Sequence, residues 1–390
     1  MKSVELFAGA GGLAIGIHEA GFEHQALIEW NQWCCDTLRE NSRQGNSAFR
    51  NCKIHQADVR KFSYAETSNI DLVCGGPPCQ PFSIGGKHQA YNDSRDMFPE
   101  AVRAVRELRP KAFIFENVKG LTRQTFANYF EYIKLQLTYP DFVRSPIESW
   151  EDHYARLERH YTAGGGFDDL QYRVVSRVLL AADYGIPQKR SRVFIVGFRC
   201  DLGLEWSFPE ATHSEDALLY QQWVTGEYWD RVKVDSAEAA VSSKSQHRGQ
   251  AIRELPLLKP WRTVREAIDG LENPEKSCDP VPITPNHKHQ PGARAYVGHT
   301  GSPLDEPSKA LKAGGHGVPG GENMLARADG SVRYFTVRES ARLQGFADDY
   351  LFHGAWGESM RQLGNAVPVT LGYVVGSSVR KLLAGSGIHA

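Results

Sequence analysis

The sequence predicts an α/β fold built on a mostly parallel sheet, joined to a second, smaller and irregular domain. Three observations carry this. Over the first 199 residues short apolar runs alternate with stretches of helical period; a glycine-rich turn follows the first run; and after Arg199 the rhythm stops. Strands interleaved with helices make βαβ units and a parallel sheet, whose ligands collect beyond the carboxyl ends of the strands.

The apolar runs are SVELF (3–7), QALIEW (25–30), IDLVC (70–74), KAFIFEN (111–117), YRVVSRVLLA (172–181) and SRVFIVGF (191–198), with a shorter third strand expected before QADVR. They are rich in Val, Ile, Leu and Phe and are bounded by Gly, Pro or Asp, as buried strands are. Helical period fills the intervals, as in MFPEAVRAVRELRP, which Pro110 closes. Residues 120–170 are polar and aromatic and read as two surface helices inserted into this pattern. Residues 200–333 are rich in Gly, Pro, His and Trp, with TVREAIDGL as their one clear helix, and helical period returns at TVRESARLQGF and PVTLGYVVGSSVRKLLAG. The expected organisation is therefore a first domain over 1–199 containing the 120–170 insertion, a smaller domain over 200–354, and a C-terminal segment, 355–390, returning to the first.

With 390 residues the chain can bury a full core. No apolar run approaches the ~20 residues of a membrane span, and MKSVELFAGAGG leaves no room for a secretory leader. Seven scattered cysteines without CxxC pairs point to free thiols in a reducing cytoplasm and give no metal-ligand spacing. The net charge of −1 means that any nucleic-acid partner must be met by basic residues gathered in a cleft.

The chemistry sits where the strands end. In FAGAGGLAIG, Gly9, Gly11 and Ala14 fit the pattern G-x-G-x-x-A, and Glu29 stands at the end of the second strand, where an acid grips ribose hydroxyls. Together they indicate a nucleoside-containing ligand. Asp58 could accept from an adenine amino group or cap a helix. In GGPPCQPFS, Cys79 lies between prolines that stiffen its loop and display the thiol, whereas Cys74 falls inside the strand and reads as core. An ordinary thiol, with a pKa near ~8.5, needs nearby positive potential to act as a nucleophile. Glu116 in FENV follows four apolar residues, so burial can raise its pKa until it holds a proton for a ring nitrogen. PQKRSRVF adds Gln188, Arg190 and Arg192, whose guanidinium groups suit a carbonyl oxygen or phosphate. One thiol, one protonatable acid, one arginine and a nucleoside pocket are the parts needed to make carbon 5 of a cytosine nucleophilic.

ELFAGAGGL, GGPPCQPFS, FENV, DYGIPQKRSRVF, TVRESARLQGF and RQLGNAVPV, in that order from Glu5 to Val369, resemble the motifs of bacterial-type DNA cytosine-5 methyltransferases. The resemblance implies a Rossmann-like methyltransferase sheet with a smaller target-recognition domain, S-adenosyl-L-methionine as methyl donor, no metal, and double-stranded DNA as substrate. It makes Cys79 the nucleophile, Glu116 the partner of cytosine N3, and Arg192 with Arg190 the cytosine and loop contacts. It assigns the methyl donor to Phe7, Gly9, Gly11, Leu13, Glu29, Trp30, Asp58, Pro78 and Asn365. It further implies that FSIGGKHQAYND closes over DNA carrying a flipped base, that the protein is a cytoplasmic monomer away from membranes, and that a restriction endonuclease for the same site can accompany it.

A small branch with similar motifs methylates transfer RNA instead; the large irregular segment favours a duplex reader. A NAD-dependent dehydrogenase, which the glycine pattern alone would allow, leaves PPCQ and ENV without a role. Site reading is expected from residues 270–333, with Lys288, Arg294, Lys309 and Lys312 as candidate base contacts, because base edges must be met by side chains on a surface that enters a groove.

Overall fold

Uninterrupted apolar runs form the middle of one seven-stranded sheet. The computed structural model describes residues 1–78, 96–164, 170–239, 241–276, 282–297, 299–313 and 321–385. In chain order the first part contains β1 (Lys2–Leu6), α1 (Gly12–Glu19), β2 (Glu23–Glu29), α2 (Gln32–Arg43), β3 (Lys53–Gln56), β4 (Leu72–Gly75), α3 (Phe98–Leu108), β5 (Ala112–Val118), α4 (Ala127–Thr138), α5 (Trp150–Thr162), β6 (Tyr172–Leu180), β7 (Gln188–Lys189) and β8 (Ser191–Arg199). The second part adds β9 (His213–Ser214), α6 (Glu215–Tyr220), α7 (Glu227–Val232), α8 (Ser243–Gln250), β10 (Lys259–Pro260), α9 (Val264–Ile268), β11 (Ser302–Pro303), β12 (Ser308–Lys309), β13 (Met324–Ala326) and β14 (Val332–Tyr334). Helices α10 (Val337–Leu343), α11 (Trp356–Asn365) and α12 (Val369–Gly385) complete it.

The sheet order is β3-β2-β1-β4-β5-β8-β6, with every neighbour parallel except β8, which runs against both β5 and β6. One face buries Val4, Leu6, Ile28, Val73, Phe113 and Phe115 with residues of α3 and α4. The other buries Leu72, Cys74, Ala112, Ile114 and Phe194 with Leu13 and Ile17 of α1 and Leu371 and Val375 of α12. Covered on both faces, the central strands lack the polar alternation of a half-exposed sheet, which is why they read as continuous apolar runs. α3 stops where Arg109 takes a left-handed conformation just before Pro110, as the proline predicts.

Three features differ from the sequence reading. First, α4 is not a surface helix: Tyr129, Phe130, Tyr132, Ile133 and Leu137 are buried in the sheet core, whereas α5 is the outer of the two, burying His153 and Leu157 and packing Trp150 and Tyr154 against the edge of that core. Asn128, Glu131, Lys134 and Gln136, with the hydroxyls of Tyr129 and Tyr132, gave α4 a polar composition although both tyrosine rings are buried. Second, residues 215–250 hold three short helices, α6 to α8, joined by a π-helical turn over Gln221–Thr225. Helices of six to eight residues are too short to show a period, and tertiary packing of Leu218, Tyr228, Trp229 and Trp261 holds them. Third, Val337, Ala341, Phe346, Tyr350 and Phe352, expected in the second domain, share a cluster with Ala8, Ala10, Leu38 and Phe49, so the chain rejoins the first part before residue 355.

That cluster sits under the glycine-rich turn. Gly11 has φ +83°, and a Cβ there would lie 2.8 Å from Cδ2 of Leu38 and 3.1 Å from Oη of Tyr350, which donates to the Ala10 carbonyl at 2.6 Å. Gly11→Ala should therefore lose roughly 1–2 kcal/mol to left-handed strain and a further ~1–3 kcal/mol to overpacking. Thermal unfolding checks this: an unchanged midpoint would mean that the turn has room for a side chain.

Candidate functional site

β1 delivers Phe7, a residue with φ +56°, into the glycine-rich turn, and Gly9 follows at φ +53° with open space where its Cβ would be. β2 ends at Glu29, whose Oε2 accepts from Gly9 N at 2.8 Å while Oε1 accepts from Trp30 N at 2.9 Å and Asn31 N at 2.8 Å. Burial pushes this carboxyl up and the three N–H groups pull it down; the hydrogen bonds lock it between the first two strand ends. Trp30 beside it is 69% exposed, a large indole surface open to a stacking partner. The first turn of α1 directs backbone N–H groups to the same edge, where they suit an anionic or polar ligand.

Other residues expected at the donor pocket are placed less directly. Leu13 is in the first turn of α1, but its side chain is buried in the core against α12, so only its backbone can face a ligand. Asp58 caps the turn Val59–Lys61 by accepting from Arg60 N at 3.0 Å, and both its oxygens are engaged by the Arg60 guanidinium, which holds its carboxyl below the usual range. Asn365 is exposed at the end of α11, and Pro78 is exposed beyond β4.

Cys79 and FSIGGKHQAYND lie outside the described residues. The loop that leads to Cys79 is nevertheless fixed at its start and just past its end. Asn117 Nδ2 donates to the Pro77 carbonyl at 2.9 Å, and Met97 N donates to the Pro78 carbonyl at 3.2 Å. Asn117 was missed by sequence reasoning; its only signal was a buried amide directly after Glu116.

β5 and β8 build the acid–arginine pair. Their register sets Glu116 opposite Phe194 and Val118 opposite Arg192, so Glu116 and Arg192 are diagonal neighbours on one face. Arg192 Nε lies 2.7 Å from Glu116 Oε1, with side chains 14% and 8% exposed. The contact lacks the alignment of a hydrogen bond, leaving Oε1 with capacity for a further partner among the described residues. Burial raises the Glu116 carboxyl above its ordinary value, opposed by Arg192 and then Arg190. Gly76 lets β4 approach: a Cβ there would stand 3.3 Å from Glu116 Oε2. A carboxyl held at a strand end, raised by burial and one loop away from Cys79, can hold and release a proton there.

Arg190, expected beside Arg192 as a cytosine and loop contact, is fully buried. It donates from Nη1 to Leu311 O at 2.9 Å and from Nη2 to Gly364 O at 2.6 Å and Ala366 O at 2.9 Å. Gln188 completes the clamp, with Nε2 on Leu343 O at 3.1 Å and Oε1 accepting from Leu311 N at 3.1 Å. Arg190 thus ties three chain segments together beside the pair rather than reaching into open space.

In the second part, β12 pairs with β7, placing Ser308 and Lys309 against Gln188 and Lys189. Of the candidate base contacts, Lys309 Nζ donates to Thr300 Oγ1 at 3.1 Å and Lys312 pairs with Glu322 at 2.5 Å. Lys288 and Arg294 are exposed, with no partner among the described residues.

A mostly parallel sheet with one antiparallel strand carries a glycine turn and an acid at its first two strand ends and a buried acid–arginine pair at the fifth, the arrangement of an α/β enzyme whose chemistry sits at the strand ends. The C-5 cytosine-specific DNA methylase family model matches residues 1–142 and 160–381, and the chain belongs to that family: it is a DNA cytosine-5 methyltransferase. It is 31% identical over 385 residues to the Type II methyltransferase M.Eco47II of Escherichia coli, covering 97% of this chain and 79% of that one. To the Type II methyltransferase M.NgoMIV of Neisseria gonorrhoeae it is 30% identical over 390 residues, covering 98% and 97%. Among solved structures, the S. pombe Dnmt2 methyltransferase shares the fold at TM-score 0.56 and 19% identity, over all of both chains. Among the described residues no helix is long and apolar enough to cross a membrane, and no group of three or more His, Cys, Asp or Glu could hold a metal ion.

Lysine keeps the charge at position 190 but cannot present three directed donors from a planar fork. Arg190→Lys should cost on the order of 3 kcal/mol, as other breaches of buried charge networks do. Chemical denaturation checks it; a variant as stable as wild type would show the clamp to be dispensable.

Proposed function

We propose that the chain transfers a methyl group from S-adenosyl-L-methionine to carbon 5 of a cytosine within a specific sequence of duplex DNA, through a covalent adduct of Cys79 with a base flipped out of the helix. The observation that carries this reading is the Glu116–Arg192 pair: a carboxyl raised by burial, with unspent hydrogen-bonding capacity, next to a loop base that leads directly to Cys79. Flipping is required because carbons 5 and 6 cannot be reached inside a stacked duplex.

The donor pocket is read from Phe7, Gly9, Gly11, the Leu13 backbone, Glu29, Trp30, Asp58, Pro78 and Asn365. Glu29 fits ribose hydroxyls, since three N–H groups already fix its carboxylate at the strand edge, and Trp30 offers a face for the adenine. The bound donor supplies an electrophilic methyl group on sulfonium. The Cys79 thiolate forms a bond to carbon 6 while Glu116 gives its proton to N3, so the ring electrons are delivered to carbon 5 without building charge on the base. Carbon 5 takes the methyl group and gives up its proton to solvent; the C6–sulfur bond then breaks as N3 returns its proton to Glu116, which restores the neutral ring and releases Cys79 as thiolate. Arg192 holds Glu116 and the cytosine O2, while Arg190 ties residues 311 and 364–366 to the start of β8 beside it. We further propose that the protein works as a monomer in the cytoplasm, and that a restriction endonuclease recognising the same sequence accompanies it.

Labelled donor offered to duplex DNA and to transfer RNA tests the reading. Duplex DNA should be the acceptor; label in transfer RNA alone would overturn it. Cys79→Ser should abolish transfer and adduct formation on DNA carrying 5-fluorocytosine while leaving donor binding intact. Glu116→Gln, which keeps shape but cannot deliver the proton, should slow the chemical step by ~10²–10⁴. Turnover by the serine variant, or wild-type single-turnover rates in the glutamine variant, would remove those assignments.

For site reading, the exposed Lys288 and Arg294 are better placed than Lys309 and Lys312, which are already partnered. Arg294→Ala should relax or weaken site choice, at about 1–3 kcal/mol if its contact is bidentate, and Lys288→Ala should weaken binding. Mapping methylated cytosines after each change checks this, and an unaltered pattern and affinity would place the reader elsewhere.

A further inference from the structure

The family pattern passes over residues 143–159, so this stretch is additional to the common framework. It contains the start of α5, capped by Ser149 and tied down by Arg156, whose guanidinium grips Glu148 through Nε and Nη2, both at 2.9 Å, and lies 4.2 Å from the Phe142 ring. Nothing in its own surface suggests a ligand. Its buried side points elsewhere.

Trp150 sets its edge against Tyr129 of α4, with centroids 5.5 Å apart and planes at 79°, and packs on Tyr132 at 5.6 Å. His153, buried, joins Tyr132 Oη through Nδ1 at 2.9 Å and the Phe142 carbonyl through Nε2 at 2.8 Å. Tyr129 Oη in turn donates to Asp96 Oδ2, while Asp96 Oδ1 accepts from the N–H of Phe98, the first residue of α3, at 3.1 Å. Asp96 is followed by Met97, whose N–H holds the Pro78 carbonyl, and Pro78 is bonded to Cys79. From the added helix to the residue before the nucleophile the contacts are continuous: Trp150, Tyr129, Asp96, Met97, Pro78.

We propose that α5 braces the Pro78–Met97 junction and that Tyr129 is a positioning residue for Cys79, acting through Asp96. This rests on the reading of Cys79 as nucleophile. The added helix contributes by packing: with Trp150 and Tyr132 around it, the Tyr129 ring has one seat, and its hydroxyl reaches one carboxylate. Asp96 is thereby held in the orientation that accepts from Phe98 N and keeps Met97 N on Pro78. A sub-ångström error at a reacting group is enough to cost rate, and misplacement by about 1 Å can cost 10²-fold.

The test compares wild type, Tyr129→Phe, Asp96→Ala, the double variant and Asp96→Asn. Each is assayed for single-turnover methylation, adduct formation on 5-fluorocytosine DNA, DNA affinity and thermal midpoint. Tyr129→Phe and Asp96→Ala should each slow methylation and adduct formation by roughly 10- to 100-fold, with DNA affinity near wild type and the thermal midpoint little changed. The double variant should be no slower than the slower single one, because both remove the same link. Asp96→Asn, which keeps an oxygen for Phe98 N and a polar group for Tyr129, should recover most of the rate. Wild-type rates in Tyr129→Phe, or effects of the two single changes that multiply, would overturn the proposal. Losses of affinity and stability in step with rate would reduce Tyr129 to a structural residue and overturn it equally. If wild type methylates DNA without forming an adduct, the covalent reading fails instead, and single-turnover methylation still decides the role of Tyr129.

Discussion

The guanidinium of Arg190 is the constraint on which the rest of the site depends. It is fully buried and forms no ion pair with a carboxylate among the described residues. Burial works against its charge and Arg192 adds repulsion, yet an arginine keeps its proton in a protein. The dehydrated charge must therefore be met by dipoles, and the carbonyls of Leu311, Gly364 and Ala366 meet it. They come from the second part of the chain and from the junction of α11 and α12. A guanidinium from the β7–β8 turn can be satisfied only when both are in place, so the same interaction that removes an unpaired charge also ties these segments together around the strand ends.

Next to it the balance is different. Glu116 and Arg192 face each other across two strands, and neither is exposed enough for water to do the work of a partner. Burial lifts the carboxyl and depresses the guanidinium, while each opposes the shift of the other. Full hydrogen bonding would favour the carboxylate and spend its acidity; an ion pair with poor alignment leaves the proton affinity high and the oxygen available. Holding Arg192 by its Nη1 on the Ser191 carbonyl at 2.8 Å limits how far it can turn toward the acid. The imperfect pair is thus a consequence of strand register, and it is the form of the pair that suits proton transfer.

How much of this was legible follows from where the information lies. Residues placed at strand ends, such as Gly9, Glu29, Glu116 and Arg192, were visible as positions because a polar or glycine residue breaks an apolar run there. Arg190 was visible as a residue but not in its role: two arginines two positions apart on a strand would ordinarily face the same way, and only the three-dimensional return of residues 311 and 364–366 shows that Arg190 is buried among carbonyls instead. Tyr350 gave no signal because its partner Ala10 is 340 positions away, and Asn117 gave only a weak one because an amide after an acid resembles a turn residue. Helix α4 was misjudged as surface because tyrosine counts as polar in composition, while most of its side chain is an aromatic ring that buries readily.

The two ends of the chain complete one another, and this bears on how the donor-side turn is held. The glycine turn after β1 has little of its own to stiffen it; Gly9 and Gly11 adopt conformations that other residues resist. Rigidity arrives from the far end: Tyr350 Oη on the Ala10 carbonyl, Thr37 Oγ1 on Gln362 Oε1 at 2.7 Å, and Asn41 exchanging two hydrogen bonds with Leu351. A flexible turn braced by distant elements can be permissive in sequence and still precise in shape, because precision is set by packing rather than by local preference. The same logic recurs at the opposite edge of the site, where Asn117 and Met97 hold the prolines before Cys79. Both loops are therefore local in sequence but non-local in stability, and changes far from either strand end can alter the site while leaving every motif residue in place.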